Sequence, residues 1–539
     1  MKKRLIALLL CVALVLTGGS MTAFAAEEYS ASEQVLYRVG EKAIQGIVGG
    51  IAALVPTPYS WQTEKQYKKT HDFSLNTYGF NDSYPSTPCW SVGYSSRSLQ
   101  TGRELVDECY VGGSLAVDKK LATNVYDDQR VRTVAMSDGR GITVFASLDA
   151  FGLANSEVQK IRGMLASYAK ANNIKSINIS TLHQHSCVDT YGMNGDLLNA
   201  FFLGGIRNLL GLKNPSGQNE AFMNNLYTKV QESVKEAVSN MKQGKLYYGN
   251  IDISEYIRDK RDPQVIDGNM NRLRFVPNGG GREIWLINQA IHCVGLGAAG
   301  RNVTGDYPYY MEKYINEKGN ADFILIQVAE LAISSQYEPI DKLPVDQNLV
   351  AIGGDGYARL ALFGEALGKK ACAIQDSEEL TPSIDYASQA FTVNTENNIL
   401  LLAAKCGLLT NTIVRAGIGK YKVVSEVGFV QFGNRIAVVI APGELAAEIA
   451  YGGAMRASES WTGTSWNFPS FKDTMKDKKV LVFGLTNDQI GYMLTDNSWH
   501  SFLCENEEIV AAGSTAGSEF TAAFYALYRN LPVSQPRPQ

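Results

Sequence analysis

The chain has 539 residues, 45% of them hydrophobic and 19% charged, with a net charge of −4. That balance excludes a disordered or fibrous protein and argues against a nucleic-acid binder, which needs a basic surplus to neutralise phosphates. A chain of this length buries about three quarters of its unfolded surface, so a large core is available.

Lys2, Lys3 and Arg4 precede an apolar run from Leu5 to Leu16, and Ala23-Phe24-Ala25 supplies small residues for cleavage. This is the pattern of an export signal over residues 1–25. The run is too short to span a bilayer, and no later apolar stretch is long enough. The sequence therefore predicts a secreted, extracellular protein, either soluble or in peripheral contact with a membrane surface. Seven cysteines remain, at 89, 109, 187, 293, 372, 406 and 504. An odd, thinly spread set is no disulfide framework, although it leaves a Cys89–Cys109 bridge open. None has the C-x-x-C spacing of a zinc ribbon.

Residues 26–89 read as a helix carrying apolar Val35, Leu36, Val39, Ile44, Ile47, Ile51 and Leu54, followed by a loop-rich connector from Pro56 to Pro88. From residue 90 onward, apolar runs alternate with helical patterns. Strands at 133–136 and 142–147 flank the hairpin signal Ser137-Asp138-Gly139-Arg140-Gly141. A helix over 157–171, a strand at 176–181 and a helix over 220–241 follow. Further strands fall at 247–251, 284–291, 323–328, 427–432, 436–440 and 480–483, with helices at 307–316, 357–368, 444–451 and 517–528. The alternation predicts an α/β fold, one large domain over 90–539 with mixed β-sheets flanked by helices.

Only five histidines occur, at 71, 183, 185, 292 and 500. His183 and His185 are at i and i+2, which on a strand puts both imidazoles on one face, within reach of one ion, although such a pair is as often a structural feature of the core. His292 ends the 284–291 strand, Glu444 follows another strand in Ala441-Pro442-Gly443-Glu444, and Tyr492 follows a third. Ligands in α/β sheets bind beyond the carboxyl ends of strands. Two imidazoles, a carboxylate and a phenol acidified by the cation would suit zinc there. Pro-Gly-Glu is equally a good helix start. Asp149 reads either as the partner of a ligating histidine or as a turn residue. Gly353 to Gly356 reads as a turn before a helix. Tyr307, Tyr309 and Tyr310 read as packing residues, and His71 and His500 as surface or satisfied positions.

These segments, taken in order, resemble the neutral/alkaline (non-lysosomal) ceramidase family over roughly residues 90–530. Leu182-His183-Gln184-His185-Ser186 resembles that family's T-H-T-H-S motif. Ala290-Ile291-His292 through Gly305-Asp306-Tyr307 is similar to its histidine segment, Pro442-Gly443-Glu444 to its P-G-E, and Asn487 to Thr495 to its N-x-x-x-x-Y-x-x-T. The resemblance implies a Zn2+ site of His183, His292, Glu444 and Tyr492. It also implies three catalytic residues: His185 beside the ion, Arg261 in Lys260-Arg261-Asp262-Pro263 positioning substrate or His185, and Ser334 as the catalytic serine.

Departures accompany the match. The family's Gly-Asp before the serine is Leu331-Ala332, its Pro-Asn after it is Ser335-Gln336, and its oxyanion-stabilising tyrosine falls at Cys504. Losing one oxyanion donor typically costs about 10²–10³ in rate. The family's C-terminal immunoglobulin-like domain is expected to be absent. The implied reaction is hydrolysis of an N-acyl sphingoid or related N-acyl lipid to fatty acid and amine. Two alternatives stay open: a catalytically weakened, zinc-stabilised protein that binds lipid or glycan at a surface, or a metal-dependent hydrolase of another amide or ester. The signal predicts that N-terminal sequencing of the exported protein will begin near Ala26; an intact Met1 on the exported chain would refute it.

Overall fold

A computed structural model of the chain describes residues 31–534 apart from 114–119, 196, 213, 215–216, 298–299 and 501–507, with the side chains of 31–38, 197–199 and 201–202 likewise outside the description. The export signal and Cys504 lie outside the described residues. Two β-sheets pack face to face, with helices on their outer faces. The larger sheet runs Ala321–Gln327, Glu283–Gln289, Asn269–Pro277, Lys242–Asp252, Trp90–Ser98, Arg130–Ser137, Ile142–Leu148, Ile174–Thr181, and Asp376–Leu380 joins it beside Lys242–Asp252. The smaller runs Asn76–Tyr78, Ile384–Asn394, Lys420–Phe432, Ile436–Ile440, Lys479–Phe483, with Ile413–Gly417 beside Lys420–Phe432.

Alternation along each strand sends one set of side chains between the sheets and the other outward. Val134, Met136, Phe145, Leu286 and Ile326 meet Val430, Phe432, Val438 and Phe483 in the inner layer. Ala135, Val144 and Ala146 face outward, onto Ile161 and Leu165 of helix Asn155–Ala171 and Leu226 and Val230 of helix Glu220–Ser239. Ile287 and Leu325 pack with Met311 of helix Asp306–Tyr314 and Leu360 of helix Gln347–Ala373. Strands covered on both faces read as continuous apolar runs, which is why these elements were visible in the sequence.

Within the two sheets most strand pairs are antiparallel, but three are parallel: Ile142–Leu148 with Ile174–Thr181, Glu283–Gln289 with Ala321–Gln327, and Ile436–Ile440 with Lys479–Phe483. In each pair both carboxyl ends leave the sheet at the same edge. The N-terminal helix, Ala31–Leu54, lays Val48 and Ala52 against Ile399, Leu402 and Cys406, while Val39, Ile47 and Leu54 stay exposed. Among the described residues no helix is long and apolar enough to cross a membrane. The connector is loop-rich, and its strand Asn76–Tyr78 pairs with Tyr386–Ser388 of the smaller sheet.

Several local expectations change. The helix expected at 444–451 begins only at Ala447, because Glu444–Leu445 is extended and pairs in parallel with Tyr492–Met493. Gly353 to Gly356 breaks the chain before a helix as expected, with Gly354 at φ 80°, but a further helical stretch precedes the break within Gln347–Ala373. Cys89 and Cys109 are both free thiols, so they form no bridge. His71 is exposed and stacks on Tyr67, whereas His500 is buried, its ring 4.0 Å from that of Trp461. Tyr307 and Tyr310 pack as expected, their hydroxyls donating to the Ile291 carbonyl (2.8 Å) and to Tyr357 (2.7 Å).

Asp149 touches no histidine. It receives Arg132 Nη1 at 2.7 Å and the Arg130 amide at 2.9 Å, while Arg132 Nη2 reaches Glu312 at 2.6 Å. Arg132 and Asp149 are fully buried, so this triad ties the larger sheet to helix Asp306–Tyr314. Removing one member of a buried ion pair leaves an uncompensated charge and typically costs about 3–5 kcal/mol. Asp149→Ala is therefore expected to lose that much in urea denaturation at neutral pH. A loss below about 1 kcal/mol, the level of an exposed pair, would count against the triad as an anchor.

Candidate metal centre

The three parallel pairs deliver the site. His183 follows Ile174–Thr181, His292 follows Glu283–Gln289, Glu330 follows Ala321–Gln327, Glu444 follows Ile436–Ile440 and Tyr492 follows Lys479–Phe483. Main-chain hydrogen bonds fix the connecting segments to one another. The Thr181 amide donates to Leu485 (3.1 Å), that of Gly484 to Gln327 (2.9 Å), and that of Asn487 to Ile179 (2.7 Å), joining the rims of the two sheets. A β-carbon at Gly484 would stand 2.4 Å from the Val328 carbonyl oxygen, so only glycine permits this approach. The buried Gln327 amide donates to the carbonyls of Ile291 (2.8 Å) and Leu182 (3.3 Å), the residues just before His292 and His183.

His183 Nε2 lies 3.4 Å and His292 Nε2 3.2 Å from the same oxygen, Glu444 Oε2. Bonds of about 2.0–2.1 Å in a tetrahedron put neighbouring ligand atoms about 3.3–3.4 Å apart, so these separations fit one small ion. A carbonyl acceptor favours the matching tautomer of each ring: His183 Nδ1 lies 3.0 Å from the Phe151 carbonyl, with the Gln489 amide nitrogen 3.3 Å away, and His292 Nδ1 lies 2.8 Å from the Ile333 carbonyl. That leaves both Nε2 lone pairs directed at the Glu444 side, as ligating histidines require. Gln489 donates to the other oxygen of Glu444 at 3.2 Å.

Burial drives the imidazoles toward the neutral, ligating form. It pushes His183 down to about 3, outweighing the raising effect of Glu444. Burial and then the proximity of His292 push His185 down to about 3. Burial and then the charge of Lys260 push His292 down to about 4. Burial and the adjacent Glu444 hold the Glu330 carboxyl well above the ordinary range.

The structure brings His183, His185 and His292 together, with ring centroids 4.7 to 5.8 Å apart. The reason differs from the one expected. His183 and His185 are not on a strand: the strand ends at Thr181, and His183 takes the left-handed backbone conformation, φ 53°. A loop, not period-two alternation, turns both rings to one point. His185 is partly buried, and neither of its two buried ring nitrogens makes a hydrogen bond of good geometry. Gly113, at φ 105°, packs so closely on it that a β-carbon would stand 2.5 Å from the His185 Cα. Tyr492 is buried and is the direct ladder partner of Glu444.

Arg261 is buried but pairs with Glu508 (3.3 Å) and the Ser498 carbonyl (3.4 Å), not with a histidine, whereas its neighbour Lys260 acts by charge on both His185 and His292. Ser334 is partly exposed, on a short strand paired with Ile257–Asp259, and its hydroxyl donates to the Arg258 carbonyl at 3.2 Å. Two further site residues, Glu330 and Gln489, escaped the sequence reading because a glutamate after Val328-Ala329 and a glutamine after Asn487-Asp488 belong to no ligand spacing.

No protein-family model matches the sequence, and no curated protein matches it either. Solved structures do. The neutral ceramidase of Pseudomonas aeruginosa superposes with a TM-score of 0.60 at 16% identity, over 84% of this chain and 77% of that one. The chain has the neutral ceramidase fold. A ceramidase complexed with C2 superposes similarly, with a TM-score of 0.58 at 15% identity, over 84% of this chain and 78% of that one. At such identity the shared property is the ceramidase fold, and the His/Glu cluster stands on this chain's own geometry.

The pH dependence of the metal-free protein follows. An imidazole that protonates near 6.5 in the unfolded chain but at about 3 when folded takes up its proton on unfolding, so its stabilising contribution is complete above 6.5 and is lost as pH falls. The melting temperature of the chelator-treated protein is expected to drop between about pH 6.5 and 5, with a shallower slope in His185→Leu. Equal slopes would contradict the burial of a neutral His185.

Proposed function

We propose that the protein is an exported zinc-dependent amidase that hydrolyses the amide of an N-acyl sphingoid base or a related N-acyl lipid. The observation that carries this reading is the tetrahedral-edge spacing of His183 Nε2, His292 Nε2 and Glu444 Oε2 on the rim of a ceramidase fold. His183, His292, Glu444 and Tyr492 would hold the ion, and imidazole plus carboxylate donors suit zinc. Bound there, zinc supplies Lewis acidity at the amide carbonyl.

The chain's own residues handle the proton. His185 is neutral in its dry surroundings, so it first accepts a proton from the attacking water, through a ring nitrogen that has no well-formed protein hydrogen bond. The same burial makes the resulting imidazolium a ready donor, and the proton passes to the departing amine nitrogen as the C–N bond breaks. Ser334 has no imidazole within hydrogen-bonding distance, and its hydroxyl is turned to Arg258; this supports a role in orienting the amide rather than attacking it. Arg261, held by Glu508, would shape the wall of the site.

That placement of Ser334 also favours a second reading, in which lipid is bound without turnover. Purified protein offered N-acyl sphingosines, N-acyl amino acids and esters separates the two. Fatty acid release from N-acyl lipids that chelator abolishes and Zn2+ restores is the expected result, whereas saturable lipid binding without release would establish the second. His183→Ala and His292→Ala should each lose metal and activity together, and Ser334→Ala should lose activity at least about tenfold with unchanged metal content. A metal-free Ser334→Ala protein would overturn this division of roles.

A further inference from the structure

Glu330 has no role in the reading above, yet it is an uncompensated carboxyl beside the site. Its side chain is fully buried, and neither carboxylate oxygen accepts a hydrogen bond from a described residue. The nearest basic atom is His292 Nδ1 at 3.9 Å, already committed to the Ile333 carbonyl. No lysine or arginine among the described residues pairs with it. Yet Glu330, His183 and Glu444 each offer a ligand atom, and the three atoms lie within 4.8 Å of one another.

The backbone explains this placement. The Leu331 amide donates to the Leu445 carbonyl at 3.2 Å, which ties the segment to the strand end carrying Glu444. Ala332 then takes a left-handed φ of 59°, and the Ile333 amide closes a tight turn on the Glu330 carbonyl at 2.8 Å. That turn directs residue 330 inward and residue 334 outward. Two buried carboxyls brought together beside uncharged imidazoles cannot both be ionised unless a cation lies between them, and without one Glu330 is held toward its neutral form.

We propose that Glu330 supplies a second carboxylate to the ion held by His183, His292 and Glu444. The inference rests on the metal-centre reading and adds to it a donor that no motif in the sequence signals. A second carboxylate adds negative charge facing a divalent ion and makes the donor set richer in oxygen than His183, His292, Glu444 and Tyr492 alone.

The test uses the full chain stripped with chelator and titrated with Zn2+ against a chromophoric competitor, and separately with Co2+, for wild type, Glu330→Gln and Glu444→Gln. Glutamine keeps the shape and removes the charge, and circular dichroism of each metal-free form checks folding. The expected result is a Zn2+ affinity at least tenfold weaker in Glu330→Gln, an altered Co2+ visible spectrum, and a smaller rise in melting temperature on adding metal. The metal-free variant should melt at or above metal-free wild type, because a buried carboxyl that no described residue hydrogen-bonds is gone. Wild-type affinity and spectrum in Glu330→Gln, while Glu444→Gln loses metal, would overturn this inference alone. Equal affinity in all three proteins would overturn the metal-centre reading and this inference with it.

Discussion

Two sheets that share an apolar interface are also hydrogen-bonded to each other at one rim, and the arrangement of the candidate site depends on that seam. The turn after Lys479–Phe483 places its main chain against the ends of strands in the larger sheet, with Gly484 amide to Gln327, Leu485 carbonyl to Thr181 and Asn487 amide to Ile179. Sheet packing alone would align strand directions only to within tens of degrees. Direct main-chain bonds across the seam reduce that freedom. As a result Glu444 from one sheet and His183 and His292 from the other meet at ligand spacing. Gln327, hydrogen-bonded to the main chain just before both histidines, extends the seam within the larger sheet.

The pocket beyond the seam gathers groups that could hold a metal ion. Burial keeps three imidazoles neutral, carbonyl acceptors at Phe151 and Ile333 favour two tautomers, and two glutamates are held within a few ångströms of each other. Each of these features is costly in a protein that binds nothing. So is the left-handed conformation of His183, since a non-glycine residue held there stores of order 1–3 kcal/mol. Strain and uncompensated polarity gathered at one rim mark it as a candidate functional site.

The long apolar strands were legible because burial on both faces leaves continuous aliphatic runs, as in Ile436–Ile440 and Ala321–Gln327. Trp90–Ser98 and Ile384–Asn394 were not, because their polar residues are compensated by partners distant in sequence. Asp385, for example, faces Arg140 at 3.2 Å, a contact no local pattern records. The helix expected at Glu444 failed for a related reason: pairing with Tyr492–Met493 satisfies the Glu444 and Ala446 amides from across the fold. Arg261 and Ser334 carry residue types suited to the chemistry, but their hydrogen bonds go to Glu508 and Arg258.

By itself the sequence determined the α/β alternation, which strands would be buried, and that His183, His292, Glu444 and Tyr492 would each follow a strand. These are properties of periodicity and of residue order along one chain. Only the tertiary structure decided that those strand ends share a rim, that His183 and His185 converge through a left-handed turn, and that Glu330 faces the pocket while Ser334 faces Arg258. The physical reason is that convergence depends on hydrogen bonds between segments more than a hundred residues apart, as between Thr181 and Leu485, and no local pattern encodes a partner at that distance.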